Sequence, residues 1–200
     1  MAKRSSSSME VLLGLLTIEP MSGYDLGQAI RDSIGHFWNE SYGQIYPNLK
    51  KLAAAGFITG KTEKQKGKPD RQIYSITKKG RERLAAWLKV EPQPEIPRNE
   101  LLLKLFFAVQ AEPESIVAFV EHMASSENRT LEKINGLEGE IAKLAQYPDA
   151  PYWMMALRFG QLELEVHQRW AEETLAELRK LNRKQRTQSA DGKEPHHGSK

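Results

Sequence analysis

A mainly α-helical chain with one small β-hairpin in its first half is what this sequence predicts, on three observations. Apolar residues recur at i, i+3, i+4 and i+7 through most of the length. Strand-like composition is confined to two short runs, Phe57–Lys64 and Arg71–Ile76, on either side of the turn-rich tip Gln65-Lys66-Gly67-Lys68-Pro69-Asp70. Finally, Pro92, Pro94 and Pro97 crowd one stretch, the mark of a semi-rigid linker between two units.

The 200 residues leave room for one ordinary domain or two small ones, and 40% hydrophobic against 28% charged composition is enough to bury a core. With no cysteine there is no disulfide framework, thiolate metal site or cysteine nucleophile. Charge is divided unevenly. Residues 1–90 carry 15 Lys and Arg against 8 Asp and Glu, whereas residues 91–184 carry 11 against 16, so a polyanion would meet the front of the chain. The apolar run Val11–Ile18 is too short for a secretory signal and is flanked by Glu10 and Glu19. No run of membrane-spanning length follows, and a cytoplasmic protein is expected.

In chain order, residues 1–8 read as a disordered arm. Met9–Thr17 follows as an amphipathic helix with Leu12, Leu15 and Leu16 on one face. Glu19–Gly23 breaks it, and Ser22 or Gly23 caps a second helix over Tyr24–Ile34 with Leu26 and Ile30 inward. After a connection holding Phe37 and Trp38, Ser41 caps a third helix that stops at Gly56. Its apolar edge is Ile45, Leu49, Leu52 and Ala53; Tyr42, Gln44, Asn48 and Lys51 recur on another edge. Pro47 lies inside it, where its ring crowds the carbonyl four residues back. That residue is Gly43, which leaves room for an irregularity without a break. The hairpin comes next, and Thr77 caps a fourth helix to Leu88 with Leu84, Ala85 and Leu88 inward. Three helices, a two-stranded basic wing and a fourth helix make a winged helix-turn-helix over 9–90.

Beyond the 91–98 linker the pattern is helical throughout. Glu100–Val109 is short and apolar, and Pro113 starts a long helix reaching about Gln146. Along it Ile116, Val120, Met123, Glu127, Thr130, Ile134, Leu137, Ile141 and Leu144 form a heptad stripe interrupted in the middle. The last helix, Tyr152–Arg183, has two apolar edges: Trp153, Leu157, Leu164, Ala171, Leu178 and Leu181 on one, Met155, Phe159, Leu162 and Val166 on the other. Two edges need two partners, which implies a second subunit and makes 99–184 a dimerisation domain. A disordered tail over 185–200 closes the chain.

Three stretches, LLGLLTIEPMSGYDL ending at Leu26, GQIYPNLKKLAAAGFI (43–58) and RQIYSITKKGRERLAAWL (71–88), together resemble the PadR family of transcriptional regulators. The most distinctive piece is Ile45-Tyr46-Pro47 followed by Leu49, Leu52 and Gly56; LLLKLFFAV (101–109) is similar to the opening of the longer helical C-terminal domain of one branch. The resemblance implies a homodimer joined by C-terminal helices that binds duplex DNA at an inverted-repeat operator, usually as a repressor. Many members answer to small phenolic or drug-like molecules.

The residues suited to DNA are these. Lys64, Lys66, Lys68 and Arg71 on the wing, with Lys50 and Lys51 on the third helix, are placed for phosphates. Gln44 and Asn48, one turn apart, have amides that can donate and accept together at an adenine edge. Tyr42 and Tyr24 have hydroxyls for the backbone, Ser41 begins the helix, and Tyr46 is divided between core and DNA. Solvated turns and ordinary helix surface are the bland alternatives for all of them. Trp153, Phe159 and Trp170 are candidates to line a pocket for a small aromatic effector at the dimer interface, against a plain packing role. His36, His122 and His167 lack ligand spacing, so no metal or cofactor is expected, and no nucleophile motif or phosphate loop supports an enzyme. A different class of function, a winged-helix scaffold for protein partners with no sequence-specific DNA binding, fits the same fold.

Overall fold

The structure is a computed structural model. It describes residues 7–35, 37–38, 42–64, 70–92 and 98–191, with the backbone alone for Tyr42 and 185–191. It divides into two compact units, Met1–Glu95 and Ile96–Lys200. Residues 1–6 of the expected arm, 93–97 of the linker and 192–200 of the tail lie outside the described residues.

The first unit contains α1 (Ser8–Ile18), β1 (Met21–Ser22), α2 (Gly23–Ala29), a π-helical turn over Ile30–Ile34, α3 (Tyr42–Ala54), β2 (Ile58–Glu63), β3 (Arg71–Ile76) and α4 (Lys78–Trp87). The expected hairpin is present, with Ile58 opposite Ile76 and Glu63 opposite Arg71. It gains a third short strand that the sequence reading lacked: Met21 and Ser22 pair with Tyr74 and Ile73, giving the order β1-β3-β2. Leu12, Leu13, Leu16, Met21, Leu26, Ile30, Ile45, Leu49, Leu52 and Ile58 form one buried cluster. Removing such side chains from water supplies about 1.5–3 kcal/mol each.

The buried arc of α3 differs from the expected one. It is Ile45, Asn48, Leu49 and Leu52, while Ala53 is exposed. At about 100° per residue, Ala53 lies some 80° from Ile45, on the margin of the arc, and Asn48 lies closer to it on the other side. The fourth helix is corrected too. Leu84 packs on the core, but Ala85 and Leu88 face outward, Leu88 because it is the C-cap beyond the last helical turn.

Two joints hold α3 in place. Its C-terminus is a Schellman turn: Phe57 N–H donates to the Leu52 carbonyl (2.9 Å) and Gly56 N–H to that of Ala53 (3.0 Å). Gly56 takes φ +73°, a backbone conformation open to glycine at little cost. α4 then seats on this corner. Thr77 Oγ1 lies within hydrogen-bond distance of the Gly56 and Phe57 carbonyls (2.8 and 3.0 Å) and accepts from Gly80 N–H (3.1 Å). A Cβ on Gly80 would collide with the Phe57 carbonyl oxygen, so only glycine allows so close an approach. Lys79 Nζ donates to the Ala55 carbonyl at 2.9 Å. Arg83 holds the buried Glu10 of α1 at 2.6 Å, and both cations lie over the Phe57 ring.

The second unit contains α5 (Glu100–Phe106), a 3-10 turn at Ala108–Gln110, α6 (Pro113–Ala142) and α7 (Ala150–Asp191). Asn99 caps α5, its side chain accepting from Leu102 N–H at 3.0 Å, and Pro113 stands at the start of α6 as expected. α7 runs on to Asp191, past the Arg183 end read from the sequence and into the stretch read as tail.

α6 and α7 pair antiparallel, since Asn135 meets Gln161, Asn128 meets Gln168 and Glu121 meets Arg179. Ile116, Val120, Ala171 and Leu178 form a buried cluster near one end, and Ile134 and Leu157 are buried towards the other. Between them lies a polar layer in which His167 Nδ1 is 2.9 Å from Glu127 Oε1. This is the interruption in the heptad stripe. Among the described residues no helix is long and apolar enough to cross a membrane.

Candidate nucleic-acid interface

α3 supplies the helix of the candidate interface because its two faces differ so sharply. Opposite the buried arc, Gly43, Gln44, Tyr46, Pro47, Lys50, Lys51 and Ala54 are all exposed. Seen down the axis, Gly43, Pro47 and Ala54 form a low central strip, with Tyr46 and Lys50 to one side and Gln44 and Lys51 to the other. A low strip lets a helix approach base edges, while taller polar groups on the flanks reach bases and phosphates. The helix runs through Pro47 without breaking. Proline has no N–H to give to the Gly43 carbonyl, so the lost bond falls on the exposed side and not in the core.

Asn48 requires a correction. It is only 7% exposed, so it does not share the outward edge with Gln44 in this structure. Its position three residues after Ile45 and four before Leu52 puts it on the buried arc. Gln44 is then the exposed amide on α3. Tyr46 belongs to both environments: it is 51% exposed, yet its ring covers Gly23, where a Cβ would come within 2.7 Å of Tyr46 Cε1. Tyr24 is exposed in the first turn of α2. Of the remaining helix candidates, Ser41 lies outside the described residues, and Tyr42 is described by its backbone, in the first turn of α3.

On the wing, Lys61 and Lys64 are exposed, and Lys66 and Lys68 lie outside the described residues. Arg71 is not the open cation the sequence suggested. Its Nη2 is 3.2 Å from Asp25 Oδ2, and its Nε is 3.6 Å from Glu63 Oε2. The same Asp25 oxygen accepts from Ser22 N–H (3.0 Å) and Ser22 Oγ–H (2.8 Å), while Asp25 N–H donates to Ser22 Oγ (3.2 Å). This is a complete capping box on α2. Burial by itself would raise the Asp25 carboxyl. The Ser22 backbone and side-chain hydrogen bonds and the Arg71 charge together outweigh it and hold the group below its ordinary 3.8. The sequence reading has neither Asp25 nor Glu63 as a partner of Arg71, although the spacing Ser22-x-x-Asp25 is itself a helix-start signal.

The three aromatic effector candidates do not come together within one chain. Trp153 is half-buried beside Tyr147, Phe159 is exposed on the outer edge of α7, and Trp170 packs against the Ile116 cluster. Trp153 and Trp170 lie 17 residues apart on one continuous helix, about 26 Å along its axis. A shallow groove in this unit lies elsewhere, lined by Val117, Glu121, Arg179 and Asn182. Among the described residues there is no cluster of three or more metal-ligating side chains.

Comparison with known proteins agrees with this architecture. Residues 12–86 match the transcriptional regulator PadR-like family, and residues 97–188 match the C-terminal domain described as virulence activator alpha. The negative transcriptional regulator PadR of Bacillus subtilis (strain 168) is 34% identical over 135 residues, 66% of this chain and 72% of that protein. The structure of B. subtilis PadR in complex with operator DNA aligns with TM-score 0.74 at 28% identity, over 86% of this chain and 99% of the other. Its complex with p-coumaric acid aligns with TM-score 0.66 at 27% identity, over 86% and 99%. With both matched segments in order and a relative of this identity and extent, the chain belongs to the PadR-like family of transcriptional regulators.

Proposed function

We propose that this protein is a DNA-binding transcriptional repressor that acts as a homodimer on an inverted-repeat operator in the cytoplasm, with no catalytic step. The observation that carries the reading is the exposed side of α3, a low strip flanked by Gln44, Lys50 and Lys51, in a unit that begins the basic wing at Lys61 and Lys64. Residues 9–90 are the DNA-binding domain and 99–184 the dimerisation domain. Gln44 reads a base edge, Lys50, Lys51 and Lys64 neutralise phosphates, and Tyr24 and Tyr46 direct hydroxyls at the backbone. Lys66 and Lys68, at the wing tip, extend the same charge. Repression is supported by the name of the B. subtilis relative, a negative regulator, and operator binding by that protein's structure on DNA.

Dimerisation is supported by the second unit. Tyr152, Met155, Phe159, Leu162 and Val166 stand at alternating three- and four-residue spacing along α7, all exposed in the single chain. Such a seam is the face a helix presents to another helix. A two-fold dimer would place its recognition helices on half-sites about one helical turn of DNA apart, or a multiple of it. A small aromatic acid is the effector class we propose, since B. subtilis PadR has been solved with p-coumaric acid. An effector that alters packing at the seam would alter the distance between the two copies of α3.

Titration of the purified protein against duplex in rising salt tests the reading. Affinity should fall about tenfold or more over a fourfold increase in salt if several phosphates are neutralised. Absence of duplex binding at low salt would overturn it.

A further inference from the structure

We propose that Arg71 is a positioning residue that fixes the base of the wing against the first turn of α2 and does not itself contact DNA. This rests on the DNA-binding reading above and reassigns one residue within it.

Arg71 and Glu63 form the last cross-strand pair of the hairpin before the wing tip. Whatever holds this pair sets the direction in which the tip leaves the sheet. Arg71 holds it from the side: its Nη2 reaches Asp25 Oδ2 at 3.2 Å, while its Nε, buried and without a hydrogen-bond partner, faces Glu63 Oε2 at 3.6 Å. The carboxylate at the far end is rigid. Asp25 is locked by Ser22, and Ser22 is both the N-cap of α2 and the strand partner of Ile73 in β3. The guanidinium therefore braces three elements, α2, β2 and β3, through an anchor that already belongs to the sheet.

Electrostatics favour the same assignment. One guanidinium between two carboxylates is a cluster of net negative charge, which a phosphate is repelled by as a whole. If Arg71 swung out to a phosphate, it would leave Asp25 and Glu63 uncompensated beside the polyanion. Planar, five-donor arginine suits a brace between two fixed carboxylates better than a flexible lysine does.

The two roles predict opposite results for a single substitution. Asp25→Asn removes a negative charge near DNA, so simple charge counting predicts tighter binding. A brace predicts weaker binding, because Arg71 loses its charged anchor while the amide oxygen left by Asp25→Asn can still accept from Ser22 N–H in the capping box. Duplex affinity as a function of salt is measured for the wild type, Arg71→Ala, Arg71→Lys, Asp25→Asn and the Arg71→Ala/Asp25→Asn double variant, with melting temperature as a check on folding. Glu63→Gln, which leaves the capping box untouched, is the second route to the same brace.

The brace predicts that Arg71→Ala and Asp25→Asn each weaken binding roughly two- to tenfold, and that the double variant is no weaker than Arg71→Ala alone. The salt slope stays at the wild-type value. Hydroxyl-radical footprints lose the backbone protection from the wing, while protection of guanine N7 from dimethyl sulfate in the major groove under α3 persists, which general loss of folding would not produce. Arg71→Lys retains part of the affinity that Arg71→Ala loses. The proposal is overturned if Arg71→Ala lowers the salt slope by about 0.9, or if Asp25→Asn binds more tightly, or if neither variant changes binding. Should the wild type fail to bind duplex at low salt, the DNA reading falls and the proposal with it. A wild type that binds, with Asp25→Asn tighter, overturns the brace alone.

Discussion

The two units of this chain use apolar residues in opposite ways. The first gathers ten buried side chains into one cluster, and its outward helix face is polar, basic or small. The second has a thin core of four clustered residues, a polar layer at Glu127 and His167, and a row of exposed apolar side chains along α7. α5 and the turn after it add Leu103, Phe106, Phe107 and Val109, all exposed, the last by 95%. A unit with its apolar surface inside is finished as a monomer; one with this much outside is finished by something else. On the function proposed above, the comparison separates a reader, complete in one chain, from a device that brings two readers together.

The contrast is tested most strongly at Leu49, fully buried in α3. Leu49→Ala should destabilise the first unit by about 2–5 kcal/mol, a loss that chemical denaturation would show to be independent of protein concentration. Phe159→Glu, on the exposed edge of α7, should behave in the reverse manner. Monomer folding is little changed, but the dimer dissociates with a Kd raised at least about 30-fold, read by sedimentation equilibrium. If Phe159→Glu remains dimeric, the seam is not where the subunits meet.

Smaller effects sharpen the account of the reader. Gly56→Ala forces a Cβ into a positive-φ turn and should cost about 1–2 kcal/mol, measured by urea denaturation, with the loss confined to the first unit. The smallest effect concerns acid. The Asp25 carboxyl titrates below its unfolded value, so its stabilisation is present above about pH 3.8 and is lost as pH falls through the lower folded value. Asp25→Asn should flatten that acid limb of the stability curve, and an unchanged limb would place the acid sensitivity elsewhere.

How much of this was legible beforehand follows from what each residue's neighbours are. The periodic core positions Leu26, Ile30, Ile45, Leu49 and Leu52, the stop at Gly56 and the cap at Thr77 are local features, and the sequence displays them directly. The exposed edge of α7 was legible for the same reason, as a second periodicity on one helix. Asn48 reads as outward only while polarity is taken for exposure; its place on the helix wheel, between Gln44 and Leu52 and within the buried arc, is the better guide. Arg71 reads as an open cation only while charge is taken for availability. Its partners are 46 residues upstream at Asp25 and across the hairpin at Glu63, and no local pattern announces such a pairing. The aromatic trio is not gathered within one chain, because three rings on one long helix share a sequence neighbourhood and not a location.

The contact between Glu10 and Arg83 spans 73 positions, nearly the full length of the first unit. Together with Lys79 on Ala55 and the Thr77 cap on the corner after α3, it closes the unit as a clasp closes a strap: the last helix of the unit secures the first. The recognition helix lies inside that closure, with its C-terminal carbonyls engaged by α4. Cutting the unit short of Arg83, or removing the turn that carries Glu10, would then loosen a segment far from the cut. A minimal reader excised from this protein must keep both ends, and its unfolding should be a single cooperative event in which hydrogen exchange at α3 and α4 rises together.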